Sequence, residues 1–144
     1  MPIVNFYLVE GQHSDDAIGC LLVEASHFYC DTLYAEANPR PIERVRALVT
    51  LVKPQHWATG GHLVSQGAPD APYFTCLALS GRPVEQLQNL LEGFTDLVEK
   101  HLGCGRQAIR GQVLSIDPAH WSIGGKPASD VRGVEAKLRA GSRA

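Results

Sequence analysis

The residue with the most unusual chemistry stands second. Pro2 follows a methionine that is usually trimmed when the next residue is small or a proline, so the mature chain is expected to start at Pro2. A free N-terminal proline is a secondary amine with no amide resonance. Buried beside cations, it gives up its proton more easily than an ordinary α-amino group, whose pKa is about 7.7–8.0. Such an amine is a general base near neutrality without histidine or metal. The competing reading is that Met-Pro is an ordinary chain start, and one residue does not decide between them.

A second signal is duplication. Arg46–Gly61 and Arg110–Gly125 share one frame: arginine, seven residues, proline, one residue, His-Trp, two residues, Gly-Gly. The frame holds both tryptophans of the chain, Trp57 and Trp121, each preceded by a histidine, His56 and His120. Pro2–Gly11 and Pro72–Gly81 also match, each a proline, eight mostly apolar residues and a glycine. Chance agreement at such spacing is negligible, so the chain is one unit written twice. The copies differ mainly between helix and second strand, where the first is six residues longer.

Bulk properties narrow the class. A length of 144 residues suits one compact domain or two small fused units. Apolar residues at 44% and charged residues at 19% indicate a soluble globular chain. A net charge of −2, with no run of five or more Lys/Arg, argues against a general grip on nucleic acid. No apolar run is long enough to span a membrane, and the start lacks the pattern of a secretory signal. Cys20, Cys30, Cys76 and Cys104 form no C-x-x-C pair. That spacing argues against zinc or a thioredoxin-type motif, and predicts free, buried thiols in a reducing cytoplasm.

The elements that position these residues follow from periodicity. Pro2–Val9 reads as a strand of β-branched and aromatic residues ended by Gly11. Ser14 then caps a helix, with Asp15 and Asp16 in its first turn serving the helix end. Ile18, Leu21, Leu22, Ala25, Tyr29 and Leu33 recur at helical spacing, and the prolines of Asn38-Pro39-Arg40-Pro41 end the run. Val45–Val52 is a second strand. The second copy predicts a strand at Tyr73–Leu79, Pro83 at the first helical position, and a buried stripe of Val84, Leu87, Leu90, Leu91, Phe94, Leu97, Val98 and Leu102. Gly103 is its C-cap, and Ile109–Ile116 its last strand.

The resulting organisation is a first unit over residues 1–62, a linker over 63–71, a second unit over 72–133, and a tail over 134–144 that reads as a short helix or frayed end. The fold class is α+β: tandem β-α-β units forming a four-stranded sheet with two helices on one face, each crossover parallel and right-handed. Apolar side chains remain on the other face, which predicts association around a central axis.

The residues Pro2-Ile3…Leu8-Val9-Glu10-Gly11…Ser14-Asp15, the strand start Val45-Arg46, and the hairpins His56-Trp57-x-x-Gly60-Gly61 and Trp121-x-x-Gly124-Gly125 resemble the 4-oxalocrotonate tautomerase family. The resemblance covers roughly residues 2–62 and 72–133. The length is similar to that of its fused branches, the cis-3-chloroacrylic acid dehalogenases and malonate semialdehyde decarboxylases. It implies a homotrimer of two-unit chains acting on a small carboxylate, without cofactor or metal, with Pro2 as catalytic residue. Pro72 is internal, so its nitrogen is an amide and not a base.

The resemblance also implies roles for other residues. The family's arginine after the strand-ending glycine is replaced by Gln12 in the first unit and present as Arg82 in the second. Arg82 is therefore expected beside Pro2 as the carboxylate-binding catalytic partner, the task for which a planar guanidinium is suited. The alternative is a surface ion-pair arginine. Arg46 and Arg110 match the family's strand arginine. Trp57 and Trp121 match its aromatic wall, which excludes water and keeps the proline's pKa low. His56 and His120 read as structural. His27 lies near a histidine of the dehalogenase branch, and Glu43 in Pro41-Ile42-Glu43-Arg44 resembles a decarboxylase segment; both are accessory candidates, against simple surface roles.

No carboxylate occurs in the second hairpin, and no second arginine stands close to Arg82, so a tautomerase of a 2-hydroxy-2,4-dienoate or arylpyruvate enol is the preferred reading. Decarboxylation or hydration at the same site is the alternative. A non-catalytic trimeric scaffold is the third reading.

Overall fold

The computed structural model describes residues 2–133; the predicted tail over 134–144 and Met1 lie outside them. In chain order, β1 (Ile3–Val9) leads into helix α1 (Asp15–Leu33) and back to β2 (Arg46–Val52), followed by a small hairpin of β3 (Ala58–Thr59) and β4 (His62–Leu63). The second unit repeats the order with β5 (Tyr73–Leu79), α2 (Val84–Leu102), β6 (Arg110–Ile116) and a hairpin of β7 (Ser122–Ile123) and β8 (Lys126–Pro127), closed by the short helix α3 (Ala128–Val131). The four long strands form one sheet in the order β2-β1-β5-β6. Within each unit the strands are parallel, and β1 meets β5 antiparallel, Val4 opposite Cys76 and Tyr7 opposite Tyr73.

Period-two alternation sets the faces. Val4, Phe6 and Leu8 of β1 and Phe74, Cys76 and Ala78 of β5 point to the helices and are buried. Ile18, Leu21, Ala25, Tyr29 and Leu33 of α1 and Leu90, Phe94, Leu97 and Val98 of α2 cover them. The centre is aromatic. The rings of Phe6, Phe74 and Phe94 lie 5.7–6.1 Å apart, and Tyr29 meets Phe94 edge-on at 5.0 Å. Each such pair contributes about 0.5–1.5 kcal/mol beyond its area. On the open face the rings of Tyr7 and Tyr73 stack at 5.4 Å, while Leu48 and Leu114 are exposed.

The helix ends follow their predicted chemistry. Ser14 Oγ accepts from the Ala17 N–H at 3.1 Å, and Gly103 takes φ 68°, a left-handed cap that a side chain would disfavour. The helices are also bound to each other. Lys100 and His101 of α2 reach Glu24 of α1 at 2.8 and 2.5 Å. The Lys100 hydrogen bond, and then that of His101, hold the Glu24 carboxyl below its ordinary pKa.

Several boundaries differ from expectation. β2 and β6 begin at Arg46 and Arg110 because Val45 and Ile109 donate their N–H to 3-10 turns, at Ile42 and Arg106. Pro2 and Pro72 flank their strands: each carbonyl accepts from the facing arginine N–H, but proline has none to give. Pro83 is the N-cap, not the first helical residue, which leaves Val84 64% exposed and outside the buried stripe. Leu63, assigned to the linker, closes the first hairpin opposite Ala58, and Val64 after it is buried. Cys30 and Cys76 are buried as expected, Cys104 is half-buried, and Cys20 is exposed on α1.

A side chain has no room at Gly111. A Cβ on Gly111 of β6 would come within 2.2–2.5 Å of the Phe74 ring, which is locked among Phe6 and Phe94. Gly111→Ala is expected to destabilise the fold by about 1–3 kcal/mol through overpacking, read as a lowered urea midpoint at unchanged m-value.

Candidate active site

The antiparallel contact between β1 and β5 decides what meets at each end of the sheet. β1 starts where β5 finishes, so Pro2 and the β5–α2 turn carrying Arg82 lie at one end. β2 also starts there: the Arg46 N–H donates to the Pro2 carbonyl at 2.9 Å, and Ile3 pairs with Arg46. β6 finishes there beside β5, the Ser80 N–H donating to Ile116, and its hairpin with Trp121 follows. Pro2, Arg82, Arg46 and Trp121 are thus brought to the same end. At the other end lie Pro72, Arg110, whose N–H donates to Pro72 at 3.0 Å, and Trp57 in the hairpin after β2. The duplicated candidates separate into two sets, and only one set contains the second residue of the chain.

At the Pro2 end a groove of about 480 Å³ opens between the start of β2 and the second hairpin. Its walls include Ile3, Glu43, Arg44, Arg46, Trp121 and Arg132. Pro2 itself is fully buried next to Ile3. The Arg46 guanidinium donates back to the Glu43 carbonyl at 2.9 Å, which seats it at the rim. Cations on an apolar and aromatic floor suit an anion the size of a small carboxylate.

Arg82 is not a surface ion-pair residue. It is 8% exposed; its Nη1 donates to the Leu33 carbonyl at 2.8 Å and to Gln86 Oε1 at 3.1 Å. Gln86 in turn donates to the Thr32 carbonyl at 2.9 Å. The first turn of α2 thereby satisfies carbonyls that the C-terminus of α1 leaves over. The Tyr34 ring lies against two guanidiniums, those of Arg82 at 5.3 Å and Arg44 at 5.4 Å. Arg82 does not line the groove, so within one chain it is a fixed charge under the Pro2 end that also ties the helices together.

The remaining candidates separate clearly. Glu43 is exposed at the groove. His27 is exposed on α1 and lines no part of the groove, so the structure does not bring it to the Pro2 end. His56 and His120 are exposed in 3-10 turns and line no part of the groove. Tyr34 and Arg44 are not among the residues the sequence singles out. They hold the α1 C-cap and the end of the 3-10 turn before β2, where the second unit carries Gly103 and Ala108, so the comparison of copies does not point to them. At the Pro72 end Gln12 replaces the arginine, and beside it His13 Nε2 meets Asp70 Oδ2 at 2.8 Å. The nearby Cys104 thiol is pushed up to about 11 by burial and secondarily by Asp70.

Comparison with known proteins agrees with this architecture. The family model described as tautomerase enzyme matches residues 72–130, the second unit. Probable tautomerases of several Staphylococcus aureus strains are 41% identical over 59 residues, which is 41% of this chain and 97% of the relative. Among solved structures, a native fused 4-OT superposes with a TM-score of 0.79 at 26% identity, over 91% of this chain and 98% of that one. A fused 4-OT asymmetric trimer, at 21% identity and a TM-score of 0.77 over 90% of this chain and 98% of that one, shares the fold. The family model on the second unit, and relatives 41% identical and covered over 97% of their length, identify the chain as a member of the tautomerase family, with an isomerase-type activity.

Proposed function

We propose that this chain is a cofactor-independent keto–enol tautomerase in which Pro2, freed by removal of Met1, is base and then acid on small 2-hydroxy or 2-oxo carboxylic acids. The observation that carries the reading is the sorting of the duplicated residues: the one proline that can become an amine shares its end of the sheet with Arg82, Arg46 and Trp121. The proline nitrogen takes the enol hydroxyl proton, and the prolinium returns a proton to carbon. Arg46 at the groove rim takes the substrate carboxylate, and the buried charge of Arg82 under the Pro2 end stabilises the negative charge that develops on oxygen. Trp121 walls the groove against water. The fixed guanidiniums beside a buried amine favour its neutral form.

We assign the chain to a homotrimer. Fused 4-OT structures described as asymmetric and symmetric trimers share its fold, and the exposed Leu48 and Leu114 mark the open sheet face as the surface to be covered. A second reading keeps the site and changes the reaction. The exposed carboxylate of Glu43 at the groove supports this reading, in which it activates water or assists a decarboxylation.

The test is ketonisation of 2-hydroxymuconate, followed by ultraviolet absorbance, on protein whose intact mass lacks Met1. Pro2→Ala is expected to lower kcat/KM by roughly 10²–10⁴-fold; no rate above buffer with a free Pro2 overturns the reading. Trp121→Ala should cost roughly tenfold to a hundredfold, and Trp57→Ala, at the end with the amide proline, far less; equal losses would remove the assignment of the site to one end. Glu43→Gln is expected to leave ketonisation unchanged, whereas loss of a hydration or decarboxylation activity in that variant would favour the second reading.

A further inference from the structure

The end of the sheet that cannot use its proline carries a different set of reactive side chains. His13 comes from the loop after β1, Asp70 from the connector between the units, and Cys104 from the turn after α2. One donor atom from each lies within 4.8 Å of the other two, and it is the single such group of three among the described residues. All three are half-buried, and the His13 side chain is only 10% exposed. We propose that His13, Asp70 and Cys104 form a binding site for a borderline-soft divalent transition metal ion of the zinc class.

The donor set selects the ion. A thiolate and an imidazole suit zinc-like ions, while calcium and magnesium need several oxygens and would find one. Metal–ligand bonds of about 2.0–2.3 Å in a tetrahedral site separate the donor atoms by about 3.3–3.8 Å. The His13–Asp70 contact at 2.8 Å therefore opens by about half an ångström as the ion enters. Three protein ligands leave a fourth position for water. The thiol proton goes to solvent on binding and the sulfur stays bound to the metal, so no oxidant or reductant is involved.

The His–Asp hydrogen bond by itself joins two of the residues, while the Cys104 thiol beside them packs against the core and meets the Leu102 carbonyl at 3.9 Å. A metal accounts for all three and gives the arrangement a consequence. It would staple the connector to the end of β1 and the end of α2, joining both units at the end opposite Pro2. The site is independent of the tautomerase reading.

Cobalt(II) titration of the full chain tests it, in a Cys20→Ser background so that the exposed thiol does not compete. One equivalent is expected to produce a sulfur-to-cobalt charge-transfer band with tetrahedral visible bands, both erased by zinc. Cys104→Ala should lose the charge-transfer band, and His13→Gln and Asp70→Asn should weaken binding roughly tenfold or more. Far-ultraviolet circular dichroism establishes that each variant is folded, and the two near-isosteric changes carry the test if Cys104→Ala is not. A weak octahedral spectrum at one equivalent overturns the proposal. So does a charge-transfer band that survives Cys104→Ala, or affinity unaltered by both His13→Gln and Asp70→Asn.

Discussion

Everything in this molecule hangs on the antiparallel seam between β1 and β5. Each β-α-β unit alone has an apolar strand pair and one helix, too little to bury a core. The seam joins the units edge to edge, and its side chains become the centre of the protein: Phe6 and Phe74 cross it and meet Phe94 from above. Covering β1 and β5 from both sides also leaves only β2 and β6 as free edges of the sheet.

The seam has a chemical consequence because it is antiparallel. A parallel junction would have placed both prolines and both strand arginines at one end and both tryptophans at the other. The antiparallel one pairs the start of one unit with the finish of the other, giving two half-equivalent ends. They then diverge by sequence. The Pro2 end receives Arg82 and, through the longer connection of the first unit, Tyr34, Glu43 and Arg44. The Pro72 end has Gln12 in place of the arginine, with His13, Asp70 and Cys104 about it. Duplication freed one end from the demands of the other, and a peptide nitrogen at Pro72 is the physical reason the two were never interchangeable.

Stability and site are not separate here. Arg82 is where the resemblance expects a substrate ligand, yet its Nη1 is occupied by the last carbonyl of α1 and its guanidinium lies against Tyr34. A buried guanidinium has to be hydrogen-bonded somewhere, and binding it to a helix C-terminus places its charge at a fixed position. The same contacts that join α2 to α1 therefore set the electrostatic field under the Pro2 end.

The sequence alone determined the element order, the buried stripes of both helices apart from Val84, the Ser14 and Gly103 caps and the list of duplicated candidate residues. These depend on periodicity and local chemistry, which act over a few residues and are visible in the chain. What only the tertiary structure decided is which copies belong together. Trp121 and Arg46 go with Pro2, and Trp57 and Arg110 with Pro72, because the direction of the seam is a long-range pairing that neither unit encodes by itself. Comparison of the copies does not reveal Arg44 and Tyr34 either, because Ala108 and Gly103 hold their places in the second unit. Long-range pairing also hid the His13, Asp70 and Cys104 group, in which Asp70 stands 57 residues after His13 and Cys104 a further 34 after Asp70, and which no local spacing motif could reveal.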